Sequence, residues 1–143
     1  MTLVDALQAA LAVEHQAVYG YGVVGGRTAR AVQQQAGQSL DAHRLRRDAL
    51  ARELQARHVT PTPAAVGYPL PFPVDTLAAA ARLAVDMENA TAGATWDLVA
   101  ASTADSSVRR DAVDWLTRTA TRLSGWQFLT GDVTVVALPG QPG

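Results

Sequence analysis

Glu14, His43 and Glu88 are the side chains of this chain whose types and placement can do chemistry. Two carboxylates and an imidazole are a ligand set for Zn, Mn or Fe. Glu14 stands in a stripe with Leu3, Leu7, Ala10, Ala17, Tyr21 and Val24, spaced by alternating steps of four and three. Residues so spaced share one helix face, so this carboxylate points where a leucine is expected. Glu88 interrupts a second stripe, made by Leu77, Ala81, Ala84, Thr91, Thr95 and Leu98. His43 and Arg47 lie in a third, with Ala29, Ala36, Leu40, Leu50 and Leu54. A fourth runs through Val108, Ala112, Trp115, Thr119, Arg122 and Trp126. Inward carboxylates from separate helices are how helical bundles build metal sites.

These stripes predict four helices, over about residues 2–25, 28–57, 75–102 and 106–129, in a single all-α domain spanning residues 1–143. Thr2 is an acceptable N-cap for the first helix, with Asp5 favourable in its first turn. Gly25 and Gly26 are a plausible stop for it. Gly20, Gly22, Gly25 and Gly26 each weaken the helix by up to ~1 kcal/mol, which fits either a close approach to another helix or subunit or a frayed end. Asp75 is a good N-cap for the third helix. The apolar tail Val133–Gly143 either packs on the bundle or frays.

Between the second and third helices, residues 58–74 carry Pro61, Pro63, Pro69, Pro71 and Pro73, which favour extended chain. Tyr68-Pro69-Leu70-Pro71-Phe72-Pro73 has the makings of an SH3-type ligand. The expected role is a strap along the bundle, because Tyr68, Leu70 and Phe72 supply apolar anchors. The second helix spans roughly 45 Å at ~1.5 Å per residue. The strap reaches roughly 50 Å at ~3.1 Å per residue. It can therefore return to the starting end and make the second and third helices parallel.

The chain has 143 residues and a formal charge of −1. No basic run is present, so the electrostatic footprint of a nucleic-acid binder is missing. Cysteine is absent, which excludes disulfides and thiolate metal sites. No apolar run reaches the ~18 residues of a membrane helix. These features, with no cationic leader at the N-terminus, predict a soluble cytoplasmic protein with no nucleic-acid or membrane partner. There is no repeat, no glycine-rich phosphate loop and no nucleophile triad pattern. Lysine is absent and alanine abundant, which suits a high-GC genome.

Levelled by their turns, the two hairpins put Glu14 opposite His43 and Glu88 opposite residues 118–122, all near mid-helix. That arrangement resembles the ferritin-like superfamily. The segment from Glu14 to Gly22, with His43-Arg44-Leu45-Arg46-Arg47-Asp48, Tyr68-Pro69-Leu70-Pro71-Phe72-Pro73, Met87-Glu88-Asn89 and Leu138-Pro139-Gly140, more narrowly resembles an uncharacterised ferritin-like domain family of high-GC Gram-positive bacteria. The resemblance covers nearly the whole chain. It implies a ferritin-like four-helix bundle with a long crossover between the second and third helices, and no established activity.

The superfamily's di-metal site takes one Glu from each of two helices and Glu-x-x-His from each of the other two. Glu14 and Glu88 match the single-Glu positions. The second helix offers Leu40-x-x-His43 and the fourth Thr119-x-x-Arg122, so three of the six ligands are gone. The site is thus expected to be degenerate: a buried polar cluster of Glu14, His43, Arg47, Glu88 and Arg122, with Arg122 touching Glu14 or Glu88 and no cofactor. A reduced Fe, Mn or Zn site of Glu14, His43 and Glu88 in a metal-binding protein or oxidoreductase is the alternative, and a pocket for a small organic ligand a third reading. Tyr19 and Tyr21 are either redox or substrate-lining residues or core. The expected function is a non-catalytic binding or assembly module, with the Tyr19–Gly26 face forming a homodimer.

Overall fold

The first, third and fourth helices each begin at a side-chain cap. The computed structural model describes residues 1–28 and 30–130, and among these all regular structure is helical. Helix α1 spans Leu3–Arg27, α2 Arg30–Ala56, α3 Leu77–Ala101 and α4 Ser106–Thr130. Thr2 caps α1 through a reciprocal box: its hydroxyl accepts from the Asp5 amide at 3.1 Å, and Asp5 Oδ2 accepts from the Thr2 amide at 2.9 Å. Thr76, not Asp75, caps α3, accepting from the Ala79 amide at 3.1 Å. Asp105 Oδ1 accepts from the Val108 amide and starts α4. Ala29 and the tail Val133–Gly143 lie outside the described residues.

The end of α1 corrects the sequence reading. Helix α1 does not stop at Gly25–Gly26 but runs on to Arg27, with Thr28 as C-cap. Tyr21 and Val24 are fully buried, and their packing outweighs the local glycine penalty. Helix α2 ends in a Schellman motif: Val59 N–H bonds Leu54 O, and His58 N–H bonds Gln55 O. His58 takes the left-handed position, φ 58°, that such a motif requires.

The direction of the helices follows from two core clusters. One joins Tyr21 and Val24 of α1, Val32 and Ala36 of α2, Ala80 and Leu83 of α3, and Trp126 of α4. The other joins Leu7 of α1, Leu54 of α2, Leu98 of α3 and Val108 of α4. Helices α2 and α3 thus run from the first cluster to the second, and α1 and α4 run back. The connection between α2 and α3 travels the length of the bundle outside α1. Gln8 bonds the Thr60 carbonyl and the Thr62 amide, His15 meets the Thr62 carbonyl, and Tyr68 packs edge-on against Tyr19. Phe72 then lies under Arg82 of α3. No described helix is long and apolar enough to cross a membrane.

Helix α1 packs against α2 and α3, and α3 against α4. Helices α2 and α4 stand apart, and a cleft of about 820 Å³ opens between them. Helix α1 comes close to α3 at Gly20, where a Cβ would lie 2.1 Å from Met87 Sδ. Gly22, Gly25 and Gly26 have nothing packed against them. Gly20→Ala is therefore expected to lose up to about 1 kcal/mol of stability, because displacing the flexible end of Met87 outweighs the ~1 kcal/mol that alanine gains in a helix. The loss should shrink in a Met87→Ala background, as a double-mutant cycle of urea melts reads directly. Equal losses in both backgrounds would acquit the contact.

Candidate functional site

Each hairpin brings half of a polar layer to mid-bundle. Glu14 comes from α1, His43 and Arg46 from α2, Glu88 from α3, Thr119 and Arg122 from α4. Glu14, His43, Arg46, Glu88 and Thr119 are all buried, none more than 3 % exposed. His43 is the centre. Its Nδ1 meets Glu14 Oε2 at 2.6 Å and its Nε2 meets Glu88 Oε1 at 3.0 Å. An ionised carboxylate only accepts hydrogen bonds, so both ring nitrogens donate and the ring is an imidazolium. Burial pushes the His43 pKa down, but its hydrogen bonds to both carboxylates and then their charges outweigh it, so it ends above the usual value.

Glu88 Oε1 gathers further donors. The Tyr21 hydroxyl donates to it at 2.6 Å, and Arg122 Nε reaches Oε1 at 3.2 Å and Oε2 at 3.3 Å. Burial alone raises the carboxyl pKa, yet the His43 hydrogen bond and charge, with Arg122 and Tyr21 behind them, hold it below the usual value. Tyr21 stacks on the His43 ring at 5.2 Å. Burial, then the Glu88 charge, keep its hydroxyl protonated far into alkali. Tyr21 is therefore a core residue bonded to the cluster, whereas Tyr19 is 38 % exposed and packs on the strap.

The structure thus brings together Glu14, His43, Glu88 and Arg122, and Arg122 reaches Glu88, not Glu14. It does not bring in Arg47. That side chain turns outward to Asp48, with Nε to Oδ1 at 2.8 Å. Arg46 takes its place, donating to Thr119 Oγ1 and the Trp115 carbonyl, both at 2.8 Å. Arg46 Nη1 lies 3.9 Å from Glu14 Oε1, an ion pair too long for a hydrogen bond. Both Arg46 and Arg47 follow His43 at helical spacings, three and four, so the stripe alone did not separate them. Burial, then the Arg122 charge, lower the Arg46 pKa to about 10, which still leaves it charged at neutral pH.

The geometry does not fit a metal on Glu14, His43 and Glu88. A ligating imidazole nitrogen must aim a lone pair at an ion ~2.1 Å away. Here Glu14 lies against Nδ1 and Glu88 against Nε2, on opposite sides of the ring, so no single ion can touch the imidazole and both carboxylates. Among the described residues no group of three His, Cys, Asp or Glu side chains is arranged to hold a metal ion. Leu40 and Thr119 stand where further carboxylates would be needed.

The fold has a solved counterpart. The crystal structure of a conserved hypothetical protein, rv2844, from Mycobacterium tuberculosis is similar, with a TM-score of 0.84 and 40% sequence identity over 93% of each chain. No functionally curated protein matches this chain. The family model described as Domain of unknown function (DUF4439) matches residues 6–143. With that match over nearly its full length, the chain belongs to the DUF4439 family.

Proposed function

We propose that this chain is a ferritin-like bundle whose mid-layer metal position has been taken over by protein cations, and that it serves as a non-catalytic binding or assembly module. Two hairpins joined by a long crossover, parallel α2 and α3, and one buried carboxylate on each of α1 and α3 all support the ferritin-like reading. The observation that carries the proposal is the His43 imidazolium held between Glu14 and Glu88. It does the charge compensation an ion would do, and Arg122 reinforces it. The Tyr19–Gly26 stretch, with Gly22 and Gly26 exposed, is the proposed contact with a second copy.

Titration with Fe(II), Mn(II) and Zn(II), read by calorimetry and elemental analysis, is expected to show no stoichiometric uptake. The variant Leu40→Glu, Thr119→Glu, Arg122→His restores both Glu-x-x-His motifs and should gain an affinity the parent lacks. Stoichiometric metal in the parent that is lost on Glu14→Gln would overturn the proposal. Light scattering of the purified protein checks the dimer, and a monomer at high micromolar concentration would remove it.

A further inference from the structure

The layer described above is not balanced. Three cations, His43, Arg46 and Arg122, share two carboxylates, Glu14 and Glu88. The unmatched positive charge lies at the cleft, because His43 is spent on both carboxylates and Arg46 has none within hydrogen-bond distance. Arg46 and Arg122 instead converge on one neutral oxygen. Thr119 Oγ1 receives Arg46 Nη1 at 2.8 Å and Arg122 Nη2 at 3.3 Å. Two guanidinium groups brought to a single hydroxyl repel each other, and a hydroxyl supplies no charge to offset that. Both arginines line the cleft between α2 and α4.

We propose that this cleft binds a small organic oxyanion, a carboxylate or phosphate monoester on a flat apolar body, held by Arg46 and Arg122. Guanidinium groups recognise both oxyanions through paired N–H donors. The apolar body has a surface to lie on: Trp115, half-buried, forms one wall, and Leu45, 72 % exposed, stands on the other. A volume of about 820 Å³ lies within the range of small-molecule sites. Arg52 adds a positive group on the α2 wall and Asp111 a negative one on the α4 wall, while Arg118 is matched by Asp114 at 2.8 Å, so Arg46 and Arg122 leave the cleft net positive. Burial lowers the Arg46 pKa most, and the Arg122 charge beside it lowers it further.

The inference rests on the metal-free reading of the layer, and the test separates the two. Chelator-treated protein is titrated with phenyl phosphate, benzoate, inorganic phosphate and benzyl alcohol, followed by amide chemical shifts. Phenyl phosphate and benzoate should saturate one site, with shifts confined to the cleft faces of α2 and α4. The tighter of the two identifies the headgroup. Inorganic phosphate should bind about ten-fold more weakly for want of the apolar body, and benzyl alcohol should not bind. Arg122→Lys keeps the charge and loses the fork, and should weaken phenyl phosphate about ten-fold. Leu45→Asp, an exposed change that leaves folding intact, should weaken it by a similar factor through like-charge repulsion. Benzyl alcohol binding as tightly as the anions, or phenyl phosphate indifferent to both substitutions, would overturn the inference. So would the lack of any saturable shift at millimolar anion, in a protein that also takes up no metal. Anion binding that appears only after divalent metal is added would instead overturn the metal-free reading.

Discussion

His43→Leu is expected to cost about 3–5 kcal/mol of folding stability at neutral pH, the cost of stranding buried charge. The leucine fills much of the volume, so the loss is electrostatic and not a cavity effect. Glu14 suffers most. Without the imidazolium its nearest cation is Arg46, 3.9 Å away and already bonded to α4. Glu88 keeps Tyr21 and Arg122. Removing Arg122 should cost less, ~1–3 kcal/mol, because that side chain is partly exposed and water can take its place. Urea unfolding of the two variants gives the order directly. The acid limb adds a second check: protonating one carboxylate of His43→Leu removes the stranded charge, so that variant should gain stability relative to the parent as pH falls. A loss below ~1 kcal/mol would mean that the imidazole is not an ion-pair partner.

The parent protein should lose stability as pH rises above about 6.5. The sign follows from the two linked groups. His43 has a folded pKa above its ordinary 6.5, so its contribution is complete below that value and disappears as pH rises through the folded pKa. Each pH unit in that interval removes about 1.4 kcal/mol. Glu88 has a folded pKa below its ordinary 4.5, so its contribution is present above that value and is lost as pH falls through the folded pKa. Stability is therefore expected to peak between about 4.5 and 6.5, bounded by these two groups. The charged and titratable groups facing His43 are Glu14 and Tyr21 from α1, Arg46 from its own helix, Glu88 from α3 and, through Glu88, Arg122 from α4. Melting temperatures across pH 4–9 read the profile. The alkaline slope should vanish in His43→Leu. Its persistence there would assign the slope to another group.

The parts of this picture that were legible in the sequence are those that depend on period and length. A carboxylate at position 14 or 88 of an otherwise apolar stripe is visible from spacing alone, and both are buried in the layer. A proline-rich connection long enough to retrace a helix carries the direction of the next helix. Other details turn on energies that spacing does not reveal. Asp75 and Thr76 are adjacent capping residues, and which one closes the helix depends on the angle at which the strap arrives. Arg46 and Arg47 flank the same edge of α2, and the choice between them comes from the cleft. With α4 held away from α2, only a long side chain can cross, and Arg46 does so to two acceptors on α4. The cleft itself leaves no mark on the apolar stripes, because both its walls still bury one face against α1 or α3.

The polar layer also works as a key. Glu14 meets His43 within the first hairpin, and Glu88 meets Arg122 within the second. The bonds from His43 and Tyr21 to Glu88 cross from one hairpin to the other, as do those from Arg46 to Thr119 and the Trp115 carbonyl. Leucine and alanine surfaces slide past each other by one helical turn, ~5.4 Å, at modest cost. Sliding Glu88 that far would part it from both donors at once and leave it buried beside Arg122 alone. The two hairpins therefore have a single register in which both buried carboxylates are answered, and alternative dockings of the same apolar faces are penalised. The strap holds the same alignment from outside, since Gln8 and Tyr19, about three turns apart on α1, grip it at Thr60, Thr62 and Tyr68.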